Sequence, residues 1–222
     1  MAQNPLNSEL FGFLRELAEN NNREWFQANK ARYKREVQEP LLQFIAAFGE
    51  PLGEFAPQYL ADPRPVGGSM FRIHRDVRFS KDKRPYKTQA AAQFRHRQGK
   101  DVHAPGFYLH LEPGSVFGGA GIWHPDGQTL KLIRQAIVDD PGGWTNATKA
   151  LQLGGDSLKR APKGFDPDHP LIDELRRKDF VCMFELTEGE VLDPAFVDRF
   201  AESCRTTVPM MRFLTGAVGL PY

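Results

Sequence analysis

The chain has 222 residues, 41% hydrophobic, with 29 Lys and Arg against 28 Asp and Glu. This is enough apolar material for one sizeable core, and the charge balance excludes a disordered or strongly polyanionic or polycationic chain. The first ten residues lack the basic start and apolar run of a signal peptide, and no stretch of about 18 apolar residues occurs, so a soluble protein in the cytoplasm with no membrane partner is expected. Only Cys182 and Cys204 are present, which fits two buried free thiols better than a disulfide framework.

Leu10, Phe11, Leu14, Leu17 and Ala18 recur at helical spacing behind the capping candidates Asn7 and Ser8. Asn21 and Glu24 have the spacing of a capping box for a second helix carrying Phe26, Tyr33 and Val37, interrupted at Pro40. The helical pair is therefore placed at residues 7–47, and the Pro- and Gly-rich stretch Gly49–Gly68 is expected to be loop with short structured pieces. From Met70 the period becomes two, with Phe71, Ile73, Val77 and Phe79 alternating with polar residues, which predicts a strand or a strand with its exit loop.

Three further strands are predicted at Thr88–Phe94, Gly106–Leu111 and Ser115–Ile122, with Glu112-Pro113-Gly114 as a hairpin turn, giving a sheet core over 68–124. A helix follows the cap Asp126, and Trp144, Ala147 and Leu151 suggest another. After the loop Pro162–Pro170 come a short helix near Leu171–Leu175, an apolar run Phe180–Leu186, and a final helix from Asp193-Pro194 that bends or splits at Pro209. The expected whole is one α+β domain spanning 1–222: a mainly antiparallel central sheet of four to six strands, the N-terminal helical pair, and a helix-rich part over 126–219 packed on it.

Charge is unevenly spread. Arg72, Arg75, Arg78, Lys81, Lys83, Arg84, Lys87, Arg95, Arg97 and Lys100 gather in one segment with only Asp76 and Asp82, leaving 19 basic and 26 acidic residues elsewhere. A strand and turn presenting this charge on one surface would suit a phosphate or carboxylate, because Arg offers planar paired donors and Lys a compact charge. The competing reading is a solvated sheet edge protected by Lys and Arg.

Arg75, placed by alternation on the apolar face, must pair with a carboxylate or reach a ligand. Tyr86 and Lys87 follow Pro85 in a turn that can aim both at the same place. Gly118-Gly119-Ala120-Gly121 resembles a phosphate-cradling loop but lacks the P-loop Lys-Ser/Thr, so close packing against a strand is the simpler role. Trp123 is then core or pocket wall, and Leu158–Phe165 is a second basic loop able to close over the first. The six histidines (His74, His96, His103, His110, His124, His169) form no metal-ligand motif, and no nucleophile elbow is present, so neither a metal nor a cofactor is expected.

Asn22-Arg23-Glu24-Trp25-Phe26, the run Phe71–Lys83, Pro85-Tyr86-Lys87-Thr88 and Gly106–Gly114 together resemble domain-of-unknown-function family 2461, a family of bacteria and fungi. The resemblance extends to Gly118–Trp123 and Leu158–Phe165 and so over nearly the whole chain. It implies a single domain in a cytosolic setting and carries no reaction, cofactor or binding residue with it. The residues themselves therefore supply the functional expectation: a module binding a small anionic ligand through Arg72, Arg75, Arg78, Lys83 and Lys87, with Tyr86 and Trp123 as aromatic walls and Lys159 on the second basic loop. The alternatives are an enzyme acting on a phosphorylated or carboxylated metabolite, with Asp76 or Tyr86 transferring a proton, a nucleic-acid binder, or a protein-interaction scaffold.

Overall fold

The structure, a computed structural model, describes residues 4–99 and 104–222. Lys100 and His103 lie outside the described residues. Helix α1 (Ser8–Glu19) starts where the Asn7 side chain accepts from the Leu10 N–H, and it buries Leu10, Phe11, Phe13, Leu14 and Leu17. The Asn triplet then ends it, and α2 (Arg23–Ala28) is capped by Asn22, whose Oδ1 accepts from the Trp25 N–H at 2.9 Å. The predicted cap, Asn21, is used elsewhere: its side chain bonds the Tyr86 backbone.

Pro40 does not interrupt the next helix. Helix α3 (Lys30–Tyr33) passes through a π-helical turn at Lys34–Gln38 straight into α4 (Glu39–Phe55), so helix persists eight residues beyond the expected boundary at 47 and takes in the first part of the supposed loop Gly49–Gly68. The wider π turn immediately ahead of Pro40 makes room for a ring that has no N–H to give and that clashes with an ordinary preceding turn. Pro51 is held in the same helix because Phe44, Ile45, Phe48, Leu52 and Phe55 are all buried along it, so tertiary packing overrides propensity.

The predicted strand Met70–Phe79 is absent. Only its start touches the sheet, where Phe71 N–H donates to the Ala91 carbonyl at 2.9 Å and Met70 bridges Ala92. The chain then doubles back on itself: Arg75 N–H reaches the Pro85 carbonyl at 2.9 Å, and Lys87 N–H the Ile73 carbonyl at 2.8 Å. Among the described residues no second strand pairs with the tip of this loop, and Phe79 is 95% exposed. Alternation past Ile73 therefore marks no buried face, and Arg75 does not lie on one.

The sheet holds β1 (Ala90–Arg95), β2 (Gly106–Glu112), β3 (Ser115–Ile122), β4 (Leu153–Gly154) and β5 (Phe180–Leu186), all antiparallel, in the order β1-β2-β3-β5-β4. The α+β class and the antiparallel sheet are as expected, with β4 the addition. Turn Pro113-Gly114 closes β2 onto β3, where Glu112 faces Ser115 and Gly114 takes φ 79°.

One face of the sheet is apolar. Phe94, Phe107, Leu109, Leu111 and Ile122 are fully buried, Phe48 of α4 meets Phe94 at 4.6 Å between ring centres, and Phe55 meets Phe107 at 5.6 Å. The glycines of β3 serve this packing: a Cβ on Gly118 would overlap the Phe184 ring and sit 2.9 Å from the Phe200 ring, so the segment is a strand and not a loop. On the other face the same alternation in β2 sets out Tyr108, His110 and Glu112.

After β3 come α5 (Gly127–Asp139), capped by Asp126 as predicted, and α6 (Pro141–Thr148), whose Trp144 is buried. Helix α7 (Ile172–Arg176) precedes β5, and α8 (Glu188–Val191), α9 (Phe196–Thr206) and α10 (Val208–Ala217) follow it. The expected break near Pro209 falls at Thr207, with the proline in the first turn of α10, where its missing N–H costs nothing. Among the described residues, no helix is long and apolar enough to cross a membrane.

Candidate functional site

The loop between Ile73 and Gln89 is a doubled-back segment whose base is pinned to the helical layer. Tyr86 is only 3% exposed, its ring lying 4.0 Å from that of Phe26 at an interplanar angle of 21°. Asn21 brackets the same residue, its amide donating to the Tyr86 carbonyl at 3.0 Å and its oxygen accepting from the Tyr86 N–H at 3.1 Å. One side chain thereby replaces a strand partner, satisfying both backbone groups of a buried residue.

Around this anchor opens a cleft of about 410 Å³ lined by Arg75, Asp76, Arg84, Tyr86, Lys87, Thr88 and Gln89. An adjoining hollow of about 590 Å³, with Asn21, Asn22, Arg23, Val77 and Lys83 on its walls, shares Arg84 with it. Of the expected ligand-binding residues, Arg75, Tyr86 and Lys87 line the cleft, and Lys83 lines only the neighbouring hollow.

The charges along the loop fall into two groups. Arg75 donates to Asp82 at 2.7 Å and to the Arg84 carbonyl at 3.1 Å, and Arg84 grips the same carboxylate at 2.8 Å. Bonds from Arg84 first and then Arg75 hold the Asp82 carboxyl well below the usual carboxylate range. Arg78 likewise clasps Asp76 at 2.6 Å and lowers its pKa to about 2. Asp76 is therefore ionised and engaged, a poor proton carrier near neutral pH. Lys83 Nζ donates to the Val77 carbonyl at 3.1 Å, closing the loop tip.

Lys87 differs. It is partly buried, its ammonium lies 5.1 Å from the centre of the Phe71 ring, and among the described residues no carboxylate is within ion-pair distance of it. Burial, and after it the like charge of Arg72, push its pKa down. Arg72 is exposed and acts on the Asp76 carboxylate at longer range than Arg78 does. Lys87 thus stands in the cleft without an ion pair, beside two arginines that share one carboxylate.

Sequence reading missed what lies behind Lys87. Tyr108 Oη is 3.0 Å from His110 Nδ1, His110 Nε2 is 3.3 Å from Glu112 Oε2, and the Thr88 hydroxyl donates to Glu112 Oε1. His110 stacks on Phe117 at 4.5 Å and 10° and is 9% exposed. Burial lowers its pKa, against an opposing pull from Glu112, and burial raises that of Tyr108 to about 12. The signal was available: Tyr-Leu-His-Leu-Glu alternates, so a strand there must put the three polar residues on one face.

Trp123 and Lys159 are not brought to this cleft. Gly121 pairs with Gly106 at the start of β2, whereas Thr88 bonds Glu112 at its end, a separation of roughly 20 Å at strand spacing. Trp123 is 60% exposed and packs on His124, whose N–H donates to the buried Asp179 carboxylate at 2.7 Å. The other Asp179 oxygen takes the Asp156 N–H, which ties the second basic loop to that far end. Leu158–Phe165 therefore does not close over the first basic segment. Among the described residues no group of three or more His, Cys, Asp or Glu side chains is arranged to hold a metal ion.

A family model described as "Conserved hypothetical protein (DUF2461)" matches residues 9–213. No curated protein and no solved structure matches the chain.

Proposed function

We propose, for a chain that belongs to the conserved hypothetical protein family DUF2461, that the cleft beside Lys87 binds a small phosphorylated or carboxylated anion. The observation that carries this reading is Lys87 itself: a partly buried ammonium with no carboxylate partner among the described residues, in a cleft whose other two cations, Arg75 and Arg84, share the single carboxylate of Asp82. A cation held out of water without a counter-ion gains most from an anion delivered by a ligand. The Gln89 side chain lies on the same wall, next to Thr88, whose hydroxyl is given to Glu112. Tyr86 forms the floor, and Arg75, Arg84 and Asp82 act as a rigid frame. The same reading sets the protein in the cytoplasm, in keeping with two buried free thiols.

An enzyme acting on a phosphorylated metabolite is the second reading, favoured by the Tyr108, His110 and Glu112 chain against the cleft wall. These groups suit proton transfer better than Asp76, which Arg78 holds ionised.

Thermal unfolding with sulfate, phosphate, carboxylates, nucleotides and short oligonucleotides tests the proposal. A ligand at about 100 times its Kd adds about 2.7 kcal/mol of stability. That gain is expected for at least one anion class, to weaken with added salt, and to vanish in Lys87→Met, which keeps the apolar stem and removes the charge. The variant itself should fold at least as stably as the parent. Stabilisation that survives in Lys87→Met contradicts the assignment.

A further inference from the structure

The polar chain behind the cleft has a charge problem that anion binding makes worse. With His110 neutral, its Nδ1 accepts from the Tyr108 hydroxyl and its Nε2–H donates to Glu112, whose second oxygen takes the Thr88 hydroxyl. Thr88 is also a wall of the cleft. The Glu112 carboxylate thus stands one side chain away from the space assigned to the ligand. An arriving anion meets that negative charge directly behind Thr88, and the group able to cancel it is already bonded to its far side.

We propose that His110 takes up a proton from solvent when an anion occupies the cleft, so that Glu112 and His110 form a proton-linked wall of the binding site. This rests on the anion-binding reading above. The proton enters at Nδ1, the Tyr108 hydroxyl turns from donor to acceptor, and Nε2–H stays on Glu112, so no bond in the chain is lost.

The surroundings of His110 allow this. On its own strand lie Tyr108 and Glu112; from β3 comes Phe117, stacked on the ring; from β1 the residue opposite is Ala91, without charge; and from the loop come Thr88 and, acting on Glu112, Arg84. Beyond Phe117, β5 carries Glu185. Among the described residues no Lys or Arg forms an ion pair with Glu112, so imidazolium is its natural partner. Burial holds His110 below its ordinary range in the empty site. An anion raises that pKa, and by linkage protons tighten the anion: affinity rises as pH falls through the window between the empty-site and filled-site values.

Sulfate is the probe, because it does not itself titrate near neutral pH. Calorimetry of sulfate binding at about pH 6 in two buffers of different ionisation enthalpy is expected to show uptake of a fraction of one proton, up to one, per sulfate. Affinity is expected to rise roughly tenfold on acidification for each unit by which the His110 pKa is raised. His110→Gln keeps a donor for Glu112 and is expected to bind sulfate with no uptake and no pH dependence. Tyr108→Phe, which leaves the buried Nδ1–H of the imidazolium without an acceptor, moves the uptake window to lower pH. The His110 ring carbon shift, followed by NMR in the parent protein with and without sulfate, reads the same pKa change without any substitution.

Sulfate bound without proton uptake overturns this inference and leaves the anion site standing, as does equal uptake in His110→Gln. If sulfate does not bind the parent protein, the anion reading falls and this one with it.

Discussion

Gly121→Ala is expected to destabilise the protein by about 4 kcal/mol, read as a lowered midpoint in urea unfolding. Gly121 sits in β3 with φ 131°, a conformation that costs a residue with a Cβ dearly. The added carbon would also strike the Phe180 carbonyl and lie 2.9 Å from the Val181 Cα, on the neighbouring strand. Neither atom can rotate away, since both belong to the backbone of β5, which pairs with β3 from Val116 to Ile122. Strain and overlap therefore add, and relief requires the strands to separate. A loss below about 1 kcal/mol would mean that β3 and β5 do not approach as described.

Asn21→Ala is expected to cost about 2 kcal/mol and to weaken anion binding at the same time. Its amide satisfies both the N–H and the carbonyl of Tyr86, and truncation leaves two backbone groups of a buried residue without their partner. Tyr86 immediately precedes Lys87, so loosening the clamp frees the ammonium from its place in the cleft. Asn21→Asp is expected to fare no better, because a carboxylate keeps the acceptor for the Tyr86 N–H but offers no donor to its carbonyl. Equilibrium unfolding and anion titration of both variants check this. Full stability together with full anion affinity in Asn21→Ala would separate the clamp from the site.

The helical and sheet layers were largely legible because their signals are local and redundant. Alternation in Gly106–Leu111 and Ser115–Ile122 was bounded by a Pro-Gly turn, and Asn7 and Asp126 both cap where their spacing predicts. Where tertiary contacts competed with local rules, reading by rule failed. Pro40 and Pro51 suggest helix breaks, yet a π turn and a row of buried aromatics carry α4 through both. Phe71 to Phe79 alternates like a strand, but only its first residues find a partner, and a period of two means nothing without a face to bury.

The candidate site was half legible. Excess positive charge in one segment pointed to the loop that forms the cleft, and Lys87 was among the residues picked out. Which cations are free was not readable, since that depends on Asp82 meeting both Arg75 and Arg84 and on Asp76 meeting Arg78. Trp123 lies just past β3 at the opposite end of β2, and the Asp179 carboxylate, bonded to both His124 and Asp156, ties the basic loop carrying Lys159 to that same end. Conversely, the alternation Tyr108, His110, Glu112 was printed in the sequence and overlooked, because a search for metal and nucleophile motifs passes over three polar residues that merely share a strand face.

The most direct test of an anion site at Lys87 is an NMR titration of the isotope-labelled protein with inorganic phosphate, following every backbone amide. Concerted, saturable shifts centred on Lys87, Thr88 and Gln89, reduced by added salt and absent in Lys87→Met, are the expected result. Shifts centred instead on Trp123 and the loop carrying Lys159, or no saturable shift at all, would contradict it.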